Sequence, residues 1–186
     1  MYRNKTLKIY LDDLAARLPA PGGGSAACLT AAMGASLISM VINFTLGKPE
    51  YAKYEKELKN TLEKSEKLRE EFLNLVDLDV AAYKTKNPRD ALDIPFMTCR
   101  LCFEGIKFCP PLIKKSNINL ISDIGVAVVF LESAFTAANF NVMVNLKSLD
   151  NKNLTKAVTK EVIHKEKLIK KIRKLTEEKI GKIIAG

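Results

Sequence analysis

The sequence has no tryptophan, one histidine and few aromatic residues, 7% in all. Such a shortage of rings argues against the aromatic-interleaved basic surfaces on which nucleic-acid bases stack. The single histidine, His164, lies among lysines, where a solvated helix position is the plain reading. No glycine-framed nucleophile accompanies it, so a Ser-His-Asp hydrolase is not expected. No Gly-Lys-Ser/Thr follows the glycines at Walker spacing, and no strand precedes them as a dinucleotide fingerprint requires. Strand-period alternation is missing throughout, as are internal repeats and low-complexity tracts. The N-terminus, Met1–Lys5, is not followed by an apolar block of roughly 7–15 residues, so no signal peptide is expected. A cytoplasmic location and reduced thiols follow as expectations.

Four cysteines are present. Cys99, Cys102 and Cys109 fall on one side of an expected helix beside Phe103 and Ile106, as buried small hydrophobes do. No second Cys-x-x-Cys or nearby His completes a zinc set, so no metal site is expected. The apolar run 26–46 is long enough to cross a bilayer. Its Ala, Ser, Thr, Gly and Asn content reads instead as a core helix, and no membrane association is expected.

At 186 residues the chain makes one domain, 1–186, able to bury a core. Its organising stretch is Leu18-Pro19-Ala20-Pro21-Gly22-Gly23-Gly24-Ser25-Ala26-Ala27. Prolines and glycines end what precedes it, and a helix N-terminus leaving the turn points free N–H groups outward. The periodicity predicts helices over 6–17, 25–46, 50–85, 91–108, 123–145 and 153–184, with a short piece at 112–115. Pro95 fits only the first turn of the fourth helix, and Pro110-Pro111 end it. Ser122 or Asn119 is positioned to cap the helix that follows. The class is therefore all-α, five to six helices, with two central helices rich in small residues. The net charge is +9, and the segment from Lys152 onward has eleven Lys and Arg against four Glu. That excess is a solvated face or a site for a polyanion.

Asp79 falls on the apolar face of the third helix, in line with Leu68, Phe72 and Leu75, where a carboxylate must pair, bind or shift its pKa. Asp77 lies about 200° around the helix from it, so the two are not expected to share a site. Tyr83 stands one turn beyond Asp79. Asn119, Ser122 and Asp123 cluster at a helix start, where capping alone would explain them.

The proline–glycine block, with Gly34-Ala35, Met40-Val41 and Thr45-Leu46-Gly47-Lys48, resembles the opening signature of the cyclodeaminase/cyclohydrolase family. Asp77-Leu78-Asp79-Val80-Ala81-Ala82-Tyr83, Asn119-x-x-Ser122-Asp123-x-Gly125-Val126-Ala127 and Asn141-Val142-x-x-Asn145-Leu146 resemble three further family blocks in order. The resemblance implies a formiminotransferase-cyclodeaminase-like helical bundle that forms a homodimer and acts on a tetrahydrofolate derivative, with no tightly bound cofactor. The implied activity is a stand-alone methenyltetrahydrofolate cyclohydrolase. The alternatives are a formimidoyltetrahydrofolate cyclodeaminase releasing ammonia and a non-catalytic folate-binding or scaffold protein. On this reading Asp79 and Asp123 are the catalytic candidates, Asp79 stabilising a cationic carbon and activating water. Pro21, Gly22, Gly23, Gly24, Ser25, Asp77, Tyr83, Asn119 and Ser122 are the substrate-binding candidates, with the loop amides holding a carboxylate or pterin edge. The last helix would attract a polyglutamate tail.

Overall fold

The computed structural model describes residues 1–85 and 88–186, with side chains described outside 84–88. Seven α-helices occur among these residues: α1 Leu7–Ala15, α2 Gly23–Asn43, α3 Glu55–Thr85, α4 Pro88–Ile106, α5 Cys109–Lys115, α6 Ile121–Leu146 and α7 Lys152–Ala185. No strand occurs among them. The all-α expectation holds, and the expected break at Asn87 lies outside the described residues.

Local chemistry sets most helix ends. Thr6 caps α1 by accepting the Ile9 N–H at 3.3 Å, and Asn151 caps α7 by accepting that of Leu154 at 3.0 Å. Gly47, at φ +79°, takes the left-handed turn beyond α2, and Pro49 bars continuation. Residues Pro49–Tyr54 form a 3-10 turn, so α3 starts later than the periodicity suggested. Three further expectations are corrected. Pro95 lies inside α4, two turns from its start. Pro110 and Pro111 open α5 instead of terminating α4, because a first helical turn needs no N–H from them. Leu120 occupies the N-cap of α6 with no side-chain cap, leaving Ser122 and Asp123 within its first turn.

The helices run up and down. α2 packs antiparallel to α3, with Ser25 Oγ bonded to the Val76 carbonyl at one end and Ser39 Oγ to Ser65 Oγ at the other. It packs antiparallel to α6 on its other side. A Cβ on Gly34 would lie 2.9 Å from Leu131 Cγ, so this crossing requires glycine. α4 and α7 in turn lie antiparallel to α6, tied by Asn145 to Ala91 and by Glu132 to Arg173. The core is built on Phe72, Phe135, Ile38, Ile42 and Leu131, all fully buried. Each such side chain stabilises the fold by about 1.5–3 kcal/mol through burial. All four cysteines are buried free thiols within it; burial was expected from spacing for Cys99, Cys102 and Cys109, though Cys109 opens α5 and does not share α4 with the other two.

Two helices, Gly23–Asn43 and the Ile118–Leu146 stretch, are long and apolar enough to cross a membrane by length and composition. The first is mostly buried inside the bundle. The second leaves a large apolar stripe exposed, including Val126, Phe140 and Val144 at 42%, 61% and 63%.

Candidate active site

The site forms where the N-terminus of α2 meets α3 and the C-terminal end of α6. Residues 19–24 turn sharply, with a cis Ala20–Pro21 peptide, and Gly22 becomes the N-cap of α2. Gly24 then meets the Asp79 carboxylate so closely that a Cβ would stand 2.2 Å from Oδ1. The Ser25 backbone N–H lies close enough to that carboxylate to favour its charged form. Thus an acid from α3 stands at the positive end of α2. The sequence pointed to these amides as a ligand's anion site; the protein's own Asp79 takes that place at Ser25. Burial pushes the Asp79 pKa above the usual carboxylate value, and the Ser25 N–H pulls it partly back.

A cleft of about 290 Å³ opens in front of this carboxylate, lined by Pro19, Ala20, Gly22, Gly23, Gly24, Asp79, Ala82, Tyr83, Ala91, Asn141 and Asn145. Pro21 is buried beneath the turn, and its contribution is the shape of the loop. The Ser25 hydroxyl faces the core: it accepts from Tyr10 Oη and donates to the Val76 carbonyl, both at 3.2 Å, and is fully buried. Only its backbone N–H serves the site.

Asn141 and Asn145 are the residues that the sequence reading left out of the site. The signal was the pair Asn141 and Asn145, one turn apart in the last turns of a largely apolar helix. Asn141 Nδ2 donates to the Ala137 carbonyl at 3.1 Å. Asn145 Nδ2 donates to the carbonyl of Ala91. Pro95 explains that second bond, because it brings no N–H to the carbonyl four residues before it. Asn145 supplies the donor, and α4 and α6 are locked together at the cleft wall.

Asp77 points away from Asp79, as the helical spacing predicts. Its Oδ1 accepts the Tyr2 N–H, while Oδ2 is buried with no hydrogen-bond partner among the described residues. Tyr83, 60% exposed, lines the cleft. Asn119, Ser122 and Asp123 are not brought to Asp79 within the chain. They stand at or just before the opposite end of α6, where Asp123 is about 27 Å from Asn141 at 1.5 Å per residue. No residue of α7 is among those lining the cleft.

Cys28 Sγ meets Thr98 Oγ1 at 3.2 Å and Cys99 Sγ donates to the Phe135 carbonyl at 3.5 Å, both inside the core. Burial pushes Cys28, Cys99 and Cys109 up to about 12 and Cys102 well above its ordinary value. Among the described residues, no three His, Cys, Asp or Glu side chains are grouped to hold a metal ion.

A desolvated carboxylate at a helix start, with anchored carboxamides opposite, suits proton transfer at a bound small molecule. Together with the fold, it defines an all-helical protein with an acid-bearing cleft. The chain belongs to the formiminotransferase-cyclodeaminase family, whose sequence model matches residues 6–88 and 84–164. It is 38% identical to a methenyltetrahydrofolate cyclohydrolase of Methylorubrum extorquens, over 87% of this chain and 89% of that protein. It is 27% identical to the formimidoyltransferase-cyclodeaminase of Rattus norvegicus, over 77% of this chain but 31% of that larger protein. The formiminotetrahydrofolate cyclodeaminase of Thermotoga maritima superposes with a TM-score of 0.94 at 25% identity, covering 99% of this chain and all of that one.

Proposed function

We propose that this protein is a methenyltetrahydrofolate cyclohydrolase, converting 5,10-methenyltetrahydrofolate and water to 10-formyltetrahydrofolate. The match along nearly the full length of both chains to a relative of that name carries the reading. The chemistry of the cleft supports it. The methenyl carbon bridges two nitrogens and bears a delocalised positive charge, which a carboxylate in a partly desolvated cleft stabilises. Ionised Asp79 takes a proton as water adds to that carbon. The adduct then opens: the carbon–N5 bond breaks, N5 receives the proton from Asp79, and the adduct hydroxyl loses its proton to solvent as the formyl C=O forms. Water is the only co-reactant.

The active unit is a homodimer with the site completed across it. The support is the outward stripe of α2 and α6. Met33, Phe44, Val126, Phe140 and Val144 are all at least 42% exposed, which marks an interaction face on a folded protein. A self-complementary antiparallel pairing sets the α6 start of one copy beside the α6 end of the other. Asn119, Ser122 and Asp123 then arrive near Asp79 from the second copy.

The test follows loss of methenyltetrahydrofolate absorbance above its spontaneous rate. Acceleration that Asp79→Asn abolishes supports the reading; no acceleration by the wild type refutes it. Heterodimers of Asp79→Asn and Asp123→Asn chains should recover activity at the one cleft with both aspartates, and failure to recover it removes the shared site. The family's cyclodeaminases, and the close superposition with one of them, keep ammonia release from the formimino compound as the second reading, measured on the same preparations.

A further inference from the structure

A second cleft, of about 410 Å³, adjoins the first and has no role in the reaction described above. The two share Pro19, Ala20 and Tyr83 as a common wall. Its own wall is formed by the N-terminal segment, with Met1, Tyr2 and Lys5, and by the face of α3 that carries Asn74, Asp77 and Leu78. Size makes it relevant. At about 290 Å³, the Asp79 cleft is at the small end of the ~300–1,000 Å³ that drug-sized ligands occupy. A tetrahydrofolate has a bicyclic head, a benzoyl ring and a glutamate, and the head with its one-carbon bridge is enough to fill the Asp79 cleft.

The second cleft has the features that the remainder of such a molecule needs. Tyr83 is a ring exposed to both clefts, a platform for the benzoyl ring at the point where the chain of atoms crosses from one to the other. Leu78, Val80, Ala81 and Pro19 give an apolar lining beyond it. Lys5 stands at the rim. Its ammonium lies 4.7 Å from the centre of the Tyr2 ring, and its ion pair, to Asp13, is long at 3.7 Å, with the side chain 44% exposed. It therefore has donors left for an arriving carboxylate.

Resting on the cyclohydrolase reading, we propose that this cleft is the tail subsite of the same active site, with Tyr83 as ring platform and Lys5 as counter-ion for the glutamate carboxylates. The basic α7 helix, which reaches neither cleft, is not needed for recognition of the first glutamate.

Steady-state kinetics of Lys5→Met, Lys5→Arg and the control Lys8→Met tests this on two substrates: methenyltetrahydrofolate and the methenyl derivative of tetrahydropteroate, which lacks the glutamate. For the glutamate-bearing substrate, Lys5→Met should raise KM about ten-fold, the size of one charge-assisted hydrogen bond, with little change in kcat. Lys5→Arg should recover most of that loss. For the tetrahydropteroate derivative, wild type and Lys5→Met should have the same KM. Lys8 pairs with Asp12 on the outer face of α1 at 2.6 Å, and its variant should match wild type on both. A Lys5→Met effect that is equal on the two substrates, or missing from both, overturns the tail subsite while leaving the reaction intact. A wild type that hydrolyses neither substrate refutes the underlying reading instead.

Discussion

Replacing Gly24 with alanine puts a methyl carbon 2.2 Å from Asp79 Oδ1 and 2.8 Å from its Cγ, where real Cβ atoms stay beyond 3.0 Å. The helix backbone is held by its own hydrogen bonds, so the carboxylate must withdraw, by about 1 Å, losing its alignment with the Ser25 N–H. A misplacement of about 1 Å at a reacting group costs on the order of 100-fold in rate. The stability cost is smaller: overpacking removes about 1–3 kcal/mol, and alanine's better helix propensity returns up to about 1 kcal/mol. Gly24→Ala should therefore stay folded by circular dichroism, melt slightly lower, and lose about two orders of magnitude in methenyltetrahydrofolate hydrolysis. Gly23→Ala is the comparison. Its methyl would meet only Asn141 Nδ2, at 3.9 Å, an ordinary contact, and a far smaller loss is expected. Gly24→Ala with wild-type turnover would refute the placement of Asp79 against α2 as the catalytic geometry.

The remaining predictions concern the acid, a proline, an ion pair and the thiols. Because burial raises the Asp79 pKa, the ionised form needed for catalysis is lost as pH falls through a value above that of an ordinary carboxylate, and kcat/KM should fall there. The same shift means that Asp79 favours folding most below its unfolded pKa and loses that contribution as pH rises through the folded one. Asp79→Asn should thus melt at least as high as wild type at pH 7 and gain nothing near pH 3, as read from thermal scans at both. Pro95→Ala returns an N–H to the Ala91 carbonyl and releases Asn145, so activity should fall while helix content is kept; unchanged kinetics would show that Asn145 is held without that bond. Arg173→Ala leaves the 6%-exposed Glu132 with Thr136 as its remaining donor; about 2 kcal/mol of stability should be lost in urea titrations, with hydrolysis unaffected. Thiol reagents should label the four cysteines only on unfolding, since all are buried and burial raises their pKa values, those of Cys28, Cys99 and Cys109 to about 12.

Sequence periodicity was sufficient for the helices. A 3.6-residue repeat is a local property, and the apolar rows of α3, α6 and α7 mark their buried faces wherever those faces go. It also isolated Asp79 as an acid on an apolar face and separated it from Asp77, because angles around one helix need no partner. The Pro95 misreading has a tertiary cause: Pro95 is tolerated two turns into α4 because a side chain from α6 takes over the carbonyl it leaves, and no local rule contains that donor.

What the sequence by itself determined is the set of helices, their faces and the glycine turn that opens α2. Only the tertiary structure decided which ends meet. It placed Asp79 at the start of α2, brought Asn141 and Asn145 to the same cleft, and left Asp123 at the far end of α6. The reason is that antiparallel packing fixes the partner of each helix end through contacts far apart in the chain. Gly24, Asp79 and Asn145 are joined by the way α2, α3 and α6 lie against one another, and by nothing in the spacing between them.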